Sequence, residues 1–129
     1  MERMLGRFTP QFYALMRIVV GFLFACHGAQ KLFGALGGQQ QPLMSMMGLA
    51  GVIEFFGGIM IAIGFQTGTA AFIASGMMAA AYFMAHAPNA PLPIQNQGEL
   101  AAVYAFVFLY IAARGSGIWA VDRTRGPRR

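Results

Sequence analysis

The sequence predicts an all-α fold, an integral membrane four-helix bundle, on three observations. Hydrophobic residues make up 57% of the 129 residues and charged ones only 10%, with a mean hydropathy of +0.57, far from the roughly 25% charged content of a soluble domain. The apolar residues gather into four runs separated by Gly, Pro and Gln punctuation, each near the length of about 20 residues at which a helix crosses a bilayer. The basic residues lie at the two chain ends, Arg3, Arg7 and Arg17 at one and Arg114, Arg123, Arg125, Arg128 and Arg129 at the other. Four spans use most of the chain, so a single domain covers residues 1–129 and no soluble catalytic domain fits beside it.

The first span is expected over about residues 12–33, with Ile18, Val19, Val20, Phe22, Leu23 and Phe24 as its continuous apolar centre. It follows Arg3 and Arg7 and precedes Lys31 rather than a small-residue cleavage site, which reads as a retained span and not a signal peptide. A Gly/Gln/Pro stretch from Gly34 to Pro42 ends it. The second span is expected over about 44–65, and a turn through Gly64 and Gly68 leads into the third, about 69–87, too short a connection for anything but a helical hairpin. Pro88, Pro91 and Pro93 forbid helix in the next loop. The fourth span, the shortest, covers about 98–113, leaving 114–129 as a basic tail.

On the second span Gly48, Gly51, Glu54 and Gly58 recur at three- and four-residue spacing, a stripe that lets helix backbones approach closely in lipid. On the third, Ala70, Ala71, Ala74, Gly76, Ala79, Ala80 and Ala81 read as packing surface. The ten methionines and twelve phenylalanines are core and lipid contacts, none given a ligand role.

Both flanks carry arginine, while no Lys or Arg occurs between Leu32 and Asn96. The positive-inside rule therefore puts both termini in the cytoplasm, consistent with an even number of spans. Trp119 and Tyr110 fit an interfacial aromatic belt at that end. The net charge of +5 thus reads as topology and not as a nucleic-acid surface, since no basic patch is interleaved with aromatics. Cys26 is the lone cysteine, which excludes an internal disulfide or CxxC centre. It reads as a small apolar residue in a helix. No serine or cysteine nucleophile with an adjacent base and no phosphate-cradling glycine loop is present.

Against this background His27, Lys31, Glu54, His86 and Glu99 are anomalous. A charge at bilayer depth costs about 2.5 to 3.5 kcal/mol on insertion scales. In the predicted topology all five fall in the outer half of the bundle. His27 lies about six residues, or roughly 9 Å, from the outer end of its span, and Glu54 about ten residues, or roughly 15 Å, down from the same surface. His86 ends the third span and Glu99 begins the fourth. His27 and Lys31 share a face at i, i+4, so a carboxylate from a neighbouring helix can meet both. The plainest reading has Lys31 snorkelling to the interface and Glu54 fixing helix register. The functional reading is a pocket in which Lys31, His27 and Glu54 bind a polar or quinone-like head group while His27, Glu54, His86 and Glu99 exchange protons with the outer face. Zinc, non-haem iron or haem would be rival uses of these side chains. No HxxxH or ExxH pair is present and Lys31 would repel a cation, so no metal ligand is assigned. Arg17, deep toward the inner end of span one, is expected to reach cytoplasmic headgroups or to cap a neighbouring helix.

These residues carry a resemblance. A span-one arginine followed by HGxxKLFG is matched by Arg17 and by His27, Gly28, Lys31, Leu32, Phe33 and Gly34; GxxExxGGxxxxxG by Gly51, Glu54, Gly57, Gly58 and Gly64; and the histidine closing span three by His86. GELAxxY follows at Gly98, Glu99, Leu100, Ala101 and Tyr104, and a GxGxWxxDR-like tail at Gly115, Gly117, Trp119, Asp122 and Arg123. In this order the motifs resemble those of the DoxX family of small four-span bacterial membrane proteins. One departure is Gly68, where family members often carry arginine. The resemblance implies an oxidoreductase related to the membrane subunit of thiosulfate:quinone oxidoreductases and to proteins linked with quinone or thiol stress. The expected function is thus quinone-linked redox chemistry with a thiol, sulfur-compound or protein electron donor and no covalent cofactor. The alternative is a non-enzymatic accessory subunit that binds quinone or lipid in a larger membrane complex. A transporter is disfavoured by the lack of broken helices and inverted repeats. Membrane lipid and a homo- or hetero-oligomeric partner are expected in either case.

Overall fold

A computed structural model of the protein describes residues 1–124. Four long helices are joined by short connections. Helix α1 spans Thr9–Phe33 and continues from a turn of helix at Glu2–Leu5 and a 3-10 turn at Gly6–Phe8. Helix α2 spans Met46–Ile63, α3 spans Thr67–Ala81 and α4 spans Glu99–Arg114. Arg125, Arg128 and Arg129 of the expected basic tail lie outside the described residues.

Local chemistry sets the ends. Ser45 caps α2, its Oγ accepting from the Gly48 N–H at 3.1 Å, so the helix begins after Met44 and not at it. Gly64 ends α2 at φ +75°, a left-handed conformation that costs glycine little. The proline loop departs from expectation. It carries a 3-10 turn at Ala87–Asn89 and a turn of α-helix at Pro93–Asn96, because proline in a first turn removes only an N–H that has no intrahelical partner. Between α3 and that loop, Tyr82–His86 forms a π-helical turn.

Glu2–Phe33, Met46–Ile63 and Thr67–Asn89 are each long and apolar enough to cross a membrane. Helix α4, with 16 residues, is about 24 Å long and lies against α3. Each helix turns one stripe inward, such as Gly48, Gly51, Glu54, Gly58 and Ile61 on α2 and Ala101, Tyr104, Phe108 and Ile111 on α4. The outward faces are equally apolar, with Phe22, Phe56, Phe72 and Phe106 all exposed. A helix hydrophobic all round belongs in lipid, and the protein is a membrane protein.

The α1–α2 contact is nearly backbone to backbone. A Cβ at Gly58 would lie 2.5 Å from the Ala25 nitrogen, and one at Gly28 would overlap the Phe55 backbone. Gly28→Ala should therefore destabilise the bundle by about 1 to 3 kcal/mol through overpacking, measured as a fall in melting temperature in detergent. Gly57→Ala, with nothing within 4 Å of the added carbon, should be neutral or slightly stabilising. On α3 Ala70, Ala71 and Ala74 are buried as the alanine pattern suggests, and the Ser75 hydroxyl donates to the Ala105 carbonyl at 2.7 Å. Gly76 and Ala80 instead face outward, since three- and four-residue spacing from Ala74 and Ala71 leads to Met78 and not to them.

Arg17 organises the end of the bundle at which α1 begins and α4 ends. It is fully buried, and of its two expected uses it takes the helix-capping one. One guanidinium nitrogen donates to the carbonyls of Ile61 and Ala62, both at 2.8 Å, and the other to those of Ile118 and Trp119, at 3.1 and 2.7 Å. The first pair are carbonyls of the last turn of α2, of which that of Ile61 also accepts from the Gly64 N–H at 3.2 Å, and the second draws the segment after α4 back beneath the bundle. Asp122 completes the closure: its carboxylate accepts from the Gln66 and Thr67 N–H groups at 2.9 and 3.1 Å, capping α3 from a distant part of the chain. The Tyr13 hydroxyl donates to the Gly115 carbonyl at 2.6 Å. The arginine and GxGxWxxDR motifs are two halves of one latch.

Candidate functional site

At the opposite end, the four helices leave a chamber of about 310 Å³, at the lower limit of small-molecule sites, which span roughly 300 to 1,000 Å³. Helix α1 contributes Phe24, His27 and Lys31, at the spacing that keeps one face. Helix α2 contributes Met47, Ala50 and Glu54; α3 and its π turn contribute Met77, Met78, Ala81, Ala85 and His86; and Gln97, Leu100, Ala101 and Tyr104 close the fourth side.

Lys31 and Glu54 form its charged wall. The Lys31 ammonium donates to both carboxylate oxygens, at 2.6 and 2.7 Å. The glutamate side chain is 4% exposed and the lysine 22%, so the carboxylate is the desolvated partner and the ammonium keeps a solvent-facing side. Gly51 makes the approach feasible: a Cβ there would come within 2.9 Å of the Lys31 Cβ, so its absence lets the lysine stem lie against α2. The pair adds no net charge to the chamber.

His86 sits across from this pair on the π turn. Its Nδ1 is 3.1 Å from the Asn96 carbonyl, a contact that requires a proton on Nδ1 and leaves Nε2 as the acceptor of the neutral ring. Single π turns inside helices occur frequently at functional sites, and this one sets the histidine that closes α3. Asn96, 3% exposed, secures the lip of the chamber. Its amide donates to the Ala90 carbonyl at 3.1 Å and the Tyr82 hydroxyl at 3.3 Å, while its side-chain oxygen accepts from the Gly98 N–H at 2.9 Å. His27, half-buried, stands edge-on to Tyr104 with ring centroids 6.3 Å apart.

Four of the five residues singled out in the sequence thus meet around one space, and Glu99 does not. It is exposed and faces a separate shallow groove with Pro93, Ile94 and Gln97. Tyr104, Gln97, Asn96 and the three methionines are contributors that the sequence reading did not assign. Tyr104 could have been found, since it stands inside GELAxxY on the inward stripe of α4; Asn96 could not, since its bonds depend on how the proline loop folds. Cys26 is half-buried on α1 and is not part of the chamber wall. Among the described residues no three His, Cys, Asp or Glu side chains converge as a metal site would require.

Comparison with known proteins reports on the same residues. The DoxX family model matches residues 12–87, which hold His27, Lys31, Glu54 and His86 but stop short of the GELAxxY and tail motifs. A protein of Haemophilus influenzae, described only as uncharacterized, is 41% identical over 125 residues, covering 92% of this chain and 93% of the relative. No solved structure matches significantly. With more than half of the chain matched by the family model and this relative aligned along most of both sequences, the protein belongs to the DoxX family.

Proposed function

We propose that the protein is a quinone-linked redox protein of the bacterial inner membrane that takes electrons from a thiol, a sulfur compound or a partner protein. The observation that carries this reading is the convergence of His27, Lys31, Glu54 and His86 on a largely apolar chamber inside a membrane bundle. Ionisable residues gathered at membrane depth mark functional sites by default, and this chamber suits a planar ring with carbonyl groups at its edge. Phe24, Met77, Met78 and Leu100 offer the apolar wall, and Lys31 and His27 the hydrogen-bond donors. When bound, a quinone supplies the acceptor for two electrons and two protons. The protein's part is to orient the carbonyls and deliver the protons, His27 and His86 exchanging them and Glu54 holding Lys31 in place. Two thiols oxidised to a disulfide release the matching two electrons and two protons. Since the chain has one cysteine, the disulfide would form on the donor and not within this chain.

Arginine at both ends of the chain, and none in the connections at the chamber end, supports an arrangement with both termini in the cytoplasm. The chamber, at the far end, would then open within the outer leaflet.

A second reading draws on the wide apolar exterior, which would suit a larger assembly: a non-enzymatic accessory subunit that binds quinone or lipid. Quinone reduction by purified protein, assayed with thiol and thiosulfate donors, separates the two. The redox reading expects turnover in the wild type and a loss of about 100-fold in His27→Ala, the lower range for losing a positioned acid–base group. Absence of turnover with every donor, together with quinone binding unchanged in His27→Ala and Glu54→Gln, would overturn it.

A further inference from the structure

We infer that Tyr104 is a ligand-binding residue of this chamber, its hydroxyl donating a hydrogen bond to an acceptor oxygen on a neutral, planar head group. This deepens the quinone-linked reading and rests on it. Tyr104 is 6% exposed and lines the chamber, and its hydroxyl makes no hydrogen bond among the described residues yet is not sealed in by protein atoms, so its open side is the chamber. Buried tyrosine hydroxyls ordinarily find a partner, as Tyr13 does at the other end of the bundle. Three ring contacts hold Tyr104 in place: it is stacked on Phe108 at 5.4 Å with 6° between planes, and edge-on to Phe24 at 5.5 Å and to His27 at 6.3 Å. The Glu54 carboxylate lines the same chamber. A rigid ring that presents an unmatched donor to an internal space is pre-organised for an acceptor brought by a ligand.

The same wall indicates the charge of that ligand. Among the described residues Lys31 is the one lysine or arginine on the chamber wall, and its ammonium is engaged by both oxygens of Glu54. A sulfur oxyanion such as thiosulfate would find no unpaired ammonium or guanidinium there, and would have to break the ion pair to gain one. Quinone carbonyls need donors and no unpaired counter-charge, and Tyr104 holds one donor ready beside those of His27 and Lys31. Thiosulfate, as an electron source, would therefore act outside the chamber.

The test is equilibrium binding of a short-chain benzoquinone to the purified full chain in detergent, by calorimetry, comparing wild type with Tyr104→Phe. The phenylalanine keeps the ring contacts and removes only the hydroxyl. Binding should weaken about tenfold, the effect of one hydrogen bond to a buried acceptor. The melting temperature of the free protein should not fall, because no protein partner is lost. A matching dimethoxybenzene, whose ether oxygens are poorer acceptors, should bind wild type weakly and show little difference between the two proteins. Thiosulfate at millimolar concentration should not displace the quinone. Equal quinone affinity in wild type and Tyr104→Phe, or competitive displacement by thiosulfate, would overturn the inference while leaving the quinone reading intact. Absence of quinone binding by wild type would overturn both, and is seen without the variant.

Discussion

Arg17→Ala should leave little folded protein. The substitution removes four hydrogen bonds to carbonyls of α2 and of the segment after α4, and a fully buried side chain with them. Each stranded carbonyl forfeits roughly 1 to 3 kcal/mol when water cannot reach it, and the vacated volume adds a cavity cost. Some carbonyls will recover partners by relaxation, so a net loss on the order of 3 to 5 kcal/mol is expected, against a total stability of about 5 to 15 kcal/mol for a typical domain. Arg17→Lys should recover only part of this, because a single ammonium cannot reproduce a planar fork spanning two pairs of carbonyls. The measurement is the monodisperse fraction and melting temperature in detergent. Arg17→Ala as stable as wild type would refute the latch.

The Lys31–Glu54 pair should respond asymmetrically. Lys31→Met leaves a nearly fully buried carboxylate without its counter-charge, a change that typically costs 3 to 5 kcal/mol where the charge persists. Glu54→Gln leaves the lysine, whose partial exposure allows the flexible stem to carry its charge to the interface, so the loss should be smaller. The double replacement Lys31→Met with Glu54→Met should come close to wild-type stability, since apolar residues of similar volume often replace a buried pair without loss. Quinone binding should nonetheless be lost in the double variant. Stability retained with binding lost would mark the pair as kept for the ligand. Binding that survives the double replacement would show that the pair only sets helix register. Thermal unfolding and calorimetric titration of the three variants decide between these outcomes.

The pairing of Lys31 with Glu54 was legible in the chain because charge in an apolar run is costly, and depth and helical spacing left few partners for it. The misplacement of Glu99 has an equally local cause. The inward stripe of α4 runs through Ala101, Tyr104, Phe108 and Ile111, and a residue two positions before Ala101 falls on the opposite side of the helix. Glu99 lies at the chamber end of the bundle without sharing its interior. Helical phase puts Tyr104, and not Glu99, on the inward stripe. The latch at the other end lay beyond local reasoning. That Arg17 would meet Trp119, or that Asp122 would cap α3, depends on a chain reversal after Gly115 that no periodicity encodes. Proline punctuation predicts no helix between α3 and α4, whereas Pro88 and Pro93 fall in first turns, where they are tolerated.

A quinone held in this chamber should be captured there by a photoreactive analogue. Irradiation of membranes containing the protein with an azidoquinone, followed by mass-spectrometric mapping, should label the His27–Lys31 segment of α1 or Met77, Met78 and His86, with labelling suppressed by excess unlabelled quinone. Labelling confined to lipid-facing side chains such as Phe22, Phe72 and Phe106, and insensitive to competitor, would contradict the account.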